Sequence, residues 1–187
     1  MSNQTKVPEK LLKVVDEIAT QGRANLTKLT VLKKWFERPG RLPAFALWLA
    51  TQAVSGKGKG KAGGEAAALF KASRVLLAAA DSKAPGLDLA AAEALYDRLR
   101  AFQNEYQHQQ WGAVRIVHHW DLMLVEQALE ICLWYSASPA RGYKLAADYC
   151  QNYDSRYGNG LNGPSREKIQ EIARFLRKVE AAEDATP

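Results

Sequence analysis

Cysteine is nearly missing from this chain, which holds two in 187 residues, Cys132 and Cys150. Two thiols that far apart form neither a metal-type spacing nor a disulfide framework, so they read as reduced thiols of a cytoplasmic protein. Histidine is as scarce, with three in all. There is no Gly-x-Ser-x-Gly and no carboxylate pair set apart from ordinary helix surface, so an enzymatic reading has no constellation to rest on. No stretch near the first residue couples a basic start to an apolar core, and no secretion signal is expected. No apolar run is long and uncharged enough for a membrane span. Nothing repeats, and no segment alternates well enough to be a strand. Nothing in the sequence asks for a cofactor.

What the chain does have is apolar helix-forming sequence. Hydrophobic residues make up 47% of it, with five Trp and seven Tyr, which argues for a filled core and against disorder. The length favours one domain. The longest apolar run, Trp111 to Ser136, is nonpolar almost all the way round when stepped at the helical period. Only Arg115, His119, Glu126 and Glu130 share a narrow polar arc. Such a helix belongs inside other helices.

The expectation is therefore an all-α fold: a single-domain bundle of about six to seven helices around a buried central helix at about 113–136, with a flexible Gly/Lys loop at 55–64 and a disordered tail from about 182 to 187.

The remaining helices follow from local signals. Pro8 opens one that ends at Gly22, and Asn25 caps the next, whose core stripe is Leu29, Leu32 and Phe36. Arg38-Pro39-Gly40-Arg41 is a turn, followed by an apolar helix from Pro43. That pair has the outline of a helix-turn-helix, but its second helix offers almost no polar side chains to read bases. An Ala-rich helix at 65–80 turns Leu69, Phe70, Leu76 and Leu77 inward and Lys71 and Arg74 outward. Asp88 caps a helix with the stripe Leu95, Leu99, Phe102 and Tyr106. Ser138-Pro139 restarts the chain as N-cap and first helical residue. Ser165 caps the last helix, with a seam of Ile169, Ile172, Leu176 and Val179 and a basic outer face of Arg166, Lys168, Arg174, Arg177 and Lys178.

Charge is unevenly placed. Residues 1–61 carry 12 Lys+Arg against 4 Asp+Glu, a balance of +8, whereas residues 62–187 carry 14 against 16, a balance of −2. The asymmetry favours a polyanionic partner. The candidate nucleic-acid contacts are Lys28, Lys33, Lys34, Arg38, Arg41, Lys57, Lys59 and Lys61, acting on the phosphate backbone without sequence preference. The run SGKGKGKAGG at 55–64 fits no phosphate-loop register and reads either as a solvated linker or as a basic loop touching phosphates. Tyr149, Tyr153 and Tyr157, at four-residue spacing with Arg156 among them, suit packing or a subunit contact, and alternatively base stacking.

His118 and Asp121 are neighbours on the apolar side of the central helix. They read as a hydrogen-bonded pair, or alternatively as a metal or acid–base pair that lacks a third ligand. Three functions are thus open. The first is a non-enzymatic helical subunit of a larger assembly that binds nucleic acid. The second is a purely structural or self-associating subunit using apolar and aromatic helix faces. The third is a metal-dependent enzyme using His118 and Asp121.

Overall fold

The computed structural model of the chain describes residues 29–53, 61–81, 87–109, 119–151 and 166–184. Among the described residues there are seven α-helices and no strand: α1 (Leu29–Phe36), α2 (Arg41–Gln52), α3 (Lys61–Asp81), α4 (Leu89–Gln109), α5 (His119–Ala137), α6 (Pro139–Gln151) and α7 (Arg166–Asp184). The fold is all-α. It divides into two compact units, an end unit of Met1–Arg41 with Tyr143–Pro187 and a middle unit of Leu42–Gly142.

In the middle unit, α3, α4 and α5 each pack against the other two. The rule that an all-round apolar helix must be enclosed is visible in α5, where Leu124, Val125, Ala128, Leu129 and Ile131 are fully buried. Its half-exposed arc carries Met123, Glu126, Gln127 and Glu130, so the two glutamates of the sequence stripe lie where the helical period puts them. Phe70 and Leu77 of α3 and Leu99 and Phe102 of α4 supply the facing side chains. Asp88 caps α4 through a 3.1 Å bond accepted from the Ala91 amide.

Two turns are dictated by their residues. Pro39 and Gly40 form the α1–α2 connection, where the Arg41 amide donates to the Arg38 carbonyl at 3.3 Å. Gly40 adopts φ +81°, the left-handed position that a type II turn with Pro at its second residue requires. The α5–α6 connection is a single residue, Ser138, whose amide donates to the Trp134 carbonyl at 2.8 Å while its own carbonyl accepts from Arg141 and Gly142. Pro139 starts α6, where its missing N–H costs nothing.

The structure differs from expectation at three element ends. Lys61 to Gly64 belong to α3 rather than to the Gly/Lys loop, because the alanine run propagates back into a first turn whose amides have no intrahelical partners to lose. The last helix runs on through Ala182 to Asp184, where a tail was expected, because Glu183 is tied to Arg41 by two short hydrogen bonds. Trp134 and Tyr135, at the end of the central helix, stand at 38% and 36% exposure rather than enclosed. The α5 axis ends there, and the chain turns back at Ser138. The expected helix at 8–22 and the loop residues 55–60 lie outside the described residues.

Candidate nucleic-acid interface

The end unit is built around one guanidinium. Arg41 is 3% exposed, and a buried charge of that kind persists only when paired. It forms a fork with Glu183, Nε to Oε1 at 2.7 Å and Nη2 to Oε2 at 2.6 Å, the bidentate geometry in which arginine binds carboxylate most strongly. Its Nη1 donates to the Trp35 carbonyl at 3.4 Å, and the guanidinium lies 4.4 Å from the centre of the Trp35 ring. Trp35 is fixed in turn by Nε1 donating to Glu180 at 2.7 Å and by edge contacts with Phe36 and Phe175. Arg38 reaches Glu183 at 3.7 Å. The Glu183 carboxyl is held below its ordinary range, chiefly by the hydrogen bond from Arg41 and then by the charges of Arg41 and Arg38, against a burial effect that acts upward.

Two of the eight candidate phosphate contacts are thereby redirected. Arg41 is an internal residue of the fold, and Arg38 faces the same carboxylate. Lys34 is exposed and Lys33 is half-buried at the edge of α1. Lys28, Lys57 and Lys59, and the side chain of Lys61, lie outside the described residues. So do Tyr153, Tyr157 and His118. Tyr149 is half-buried and engaged within the fold. Asp121 is buried in the first turn of α5 and is likewise engaged. No group of three or more metal-ligating side chains occurs among the described residues.

The described cations sort sharply between the units. Among the described residues, Lys33, Lys34, Lys144, Arg177 and Lys178 have no side-chain hydrogen-bond, ion-pair or ring partner, and all five belong to the end unit, where Glu37 and Asp148 are the described acids without one. In the middle unit, Arg98 pairs with Glu65 at 2.9 Å and Arg100 with Glu126 at 3.5 Å. Arg74, expected to point outward, instead donates to the Ala50 carbonyl at 3.0 Å and to that of Ala53, closing the C-terminal end of α2. Arg141 lies over the Trp134 ring at 5.0 Å. Only Lys71 is then left there without a partner among the described cations, against exposed Glu93, Asp97 and Glu105. Whole-sequence charge agrees: the end unit holds 16 Lys+Arg against 11 Asp+Glu, a balance of +5, and the middle unit 10 against 9.

Titratable groups in both units are tuned by packing. Burial raises Glu126, helped by Glu130 and opposed by Arg100. Tyr96, between the same groups, is also raised, mostly by burial. Burial pushes the Cys132 thiol up to about 12 and that of Cys150 well above its ordinary value. A thiolate is the reactive species, so neither cysteine reacts with a thiol reagent at pH 8 in the folded protein, and both react once it is unfolded in guanidinium. Fast native labelling of either would contradict the packing around it.

Comparison with family models, with curated proteins and with solved structures gives no match. The candidate interface therefore stands on its own chemistry.

Proposed function

We propose that this protein is a non-enzymatic helical subunit that binds nucleic acid through the phosphate backbone, without reading sequence, as part of a larger assembly. The observation that supports the reading is the segregation, among the described residues, of cations without a partner: five in the end unit against one in the middle unit. A cationic surface of that kind attracts a polyanion, and Lys and Arg side chains without fixed acceptors are free to replace condensed counterions. A second reading, docking of a protein partner, is favoured by the exposed Trp134 and Tyr135, since exposed aromatic side chains are characteristic of interface cores.

Binding to a labelled mixed-sequence duplex tests the first reading. Each engaged cation contributes about −0.9 to the slope of log affinity against log salt, so two or more engaged cations lower affinity at least about tenfold between 50 and 200 mM salt. Affinity that is flat in salt, or that depends on sequence, contradicts it. Changing Lys57, Lys59 and Lys61 together to Gln then separates the Gly/Lys loop from the end unit: a slope unchanged by the triple substitution removes the loop from the interface.

A further inference from the structure

Each unit contains an arginine stacked on a tryptophan, and the two stacks differ in what the guanidinium has to bind. In the end unit, Arg41 lies 4.4 Å from the centre of the Trp35 ring and gives its fork to Glu183 at 2.7 and 2.6 Å. That stack is closed: Arg41 is 3% exposed, and its oxyanion comes from the chain itself. In the middle unit, Arg141 lies 5.0 Å from the centre of the Trp134 ring, and this stack is open. Trp134 is 38% exposed, Arg141 is exposed, and neither side chain has a hydrogen-bond or ion-pair partner among the described residues. No nearby acid closes it. Residues 134–141 hold no carboxylate. Glu130, one turn before Trp134, is half-buried and already engaged, and the first acid after Arg141 along α6 is Asp148, seven residues on.

Arg141 also occupies the first turn of α6, which holds no acid. That is the positive end of the helix, where a cation is disfavoured and an anion is stabilised. Resting on the nucleic-acid reading above, we infer that Trp134 and Arg141 form a site for single-stranded nucleic acid: an unpaired base stacks on the exposed part of the indole, and the guanidinium takes the adjoining phosphate. Every base has a face to stack, so the site reads no sequence. What it reads is strandedness, since a base within a duplex is already stacked on both sides. An acidic peptide would supply the oxyanion as well, but its apolar side chains need a recess. The corner beside Trp134 is built of the small residues 136–140, too short to wall one, whereas a planar base needs only the flat ring.

The full chain, fluorescein-labelled oligothymidylate, an abasic strand of the same length and a mixed-sequence duplex are sufficient for the test. The wild type binds oligothymidylate more tightly than the abasic strand. Trp134→Ala lowers the affinity for oligothymidylate by about 5- to 150-fold and leaves that for the abasic strand and the duplex little changed. Trp134→Phe keeps a ring and most of the affinity. Arg141→Gln flattens the salt slope on oligothymidylate by about 0.7. Circular dichroism checks the fold of each variant, and the wild-type comparison of the two strands carries the test should Trp134→Ala misfold. Salt-dependent wild-type binding that does not distinguish oligothymidylate from the abasic strand, or a Trp134→Ala loss equal on all three probes, overturns the site and leaves the nucleic-acid reading standing. A native mass above that of one chain that drops with Trp134→Ala, while strand binding is unchanged, assigns Trp134 to a protein contact and overturns the site too. Wild-type protein without salt-dependent binding to any of the three probes overturns both.

Discussion

Gly142→Ala lowers the thermal midpoint of the protein by roughly 6–12 °C, the equivalent of about 3 kcal/mol for a chain of this size. A Cβ at this position would lie 2.6 Å from both Cα and Cβ of Tyr135 and 2.9 Å from its amide nitrogen. Two of those three atoms are backbone, so no rotamer change relieves the overlap, and the α5–α6 corner itself must open. Ser138 is the only residue between the two helices, and its amide is bonded to the Trp134 carbonyl. The connection therefore has no slack.

In an unobstructed helix the same substitution is favourable by about 1 kcal/mol, because alanine loses less backbone freedom than glycine. Gly64 supplies the internal comparison: it is exposed, lies in the first turn of α3, and has nothing within 4 Å of the corresponding Cβ. Gly64→Ala raises the midpoint slightly. The two substitutions are expected to differ in sign, and a rise for both would show that α5 and α6 do not approach so closely.

What the sequence made legible was whatever depends on near neighbours. Asp88, Ser138-Pro139 and Pro39-Gly40 act within four residues, and each sits where its signal says. The helical period placed Leu99, Phe102, Leu129 and Leu176 correctly in the core. The side of an arginine was not legible, because a guanidinium takes whatever acceptor the fold brings up. Arg74 found the open carbonyls at the end of α2, and Arg41 found Glu183, 142 residues away.

A trace of that second pairing is present in the sequence. Leu176, Glu180 and Glu183 share one helical stripe, so two acids continue an apolar seam that ends in no apolar residue. Acids in that register require cations on the facing element. The sequence states the requirement without naming the partner. Charge counted along the chain carries no such pairing: it places Arg38 and Arg41 among the cations of residues 1–61, whereas the fold sets both against Glu183 of the last helix.

The Arg41 cluster predicts an unequal pair of losses. Glu183→Ala leaves a guanidinium at 3% exposure with only Glu180 at 3.9 Å, one 3.4 Å bond to a carbonyl and the Trp35 ring. Removing one member of a buried pair in this way costs about 3–5 kcal/mol, and the partial exposure of Glu183 puts this case near 3. Arg41→Met costs less, about 1 kcal/mol, because methionine keeps apolar contact with Trp35 while Glu183, a third exposed, retains water and Arg38. The double variant is accordingly more stable than Glu183→Ala alone, since its buried charge is gone. Equal single losses that simply add would mean that the fork contributes no coupling.

The pH dependence carries the same information with a definite sign. The folded Glu183 carboxyl titrates below its ordinary value of 4.5, so its contribution is complete above that value and disappears as pH falls through the lower, folded one. Glu126, raised by burial, acts in the opposite sense. The telling quantity is therefore the difference in unfolding free energy between wild type and Glu183→Ala. That difference stays constant from neutral pH down to about 4.5 and narrows below it. A gap that persists unchanged under acid would place the stabilisation in packing rather than in charge.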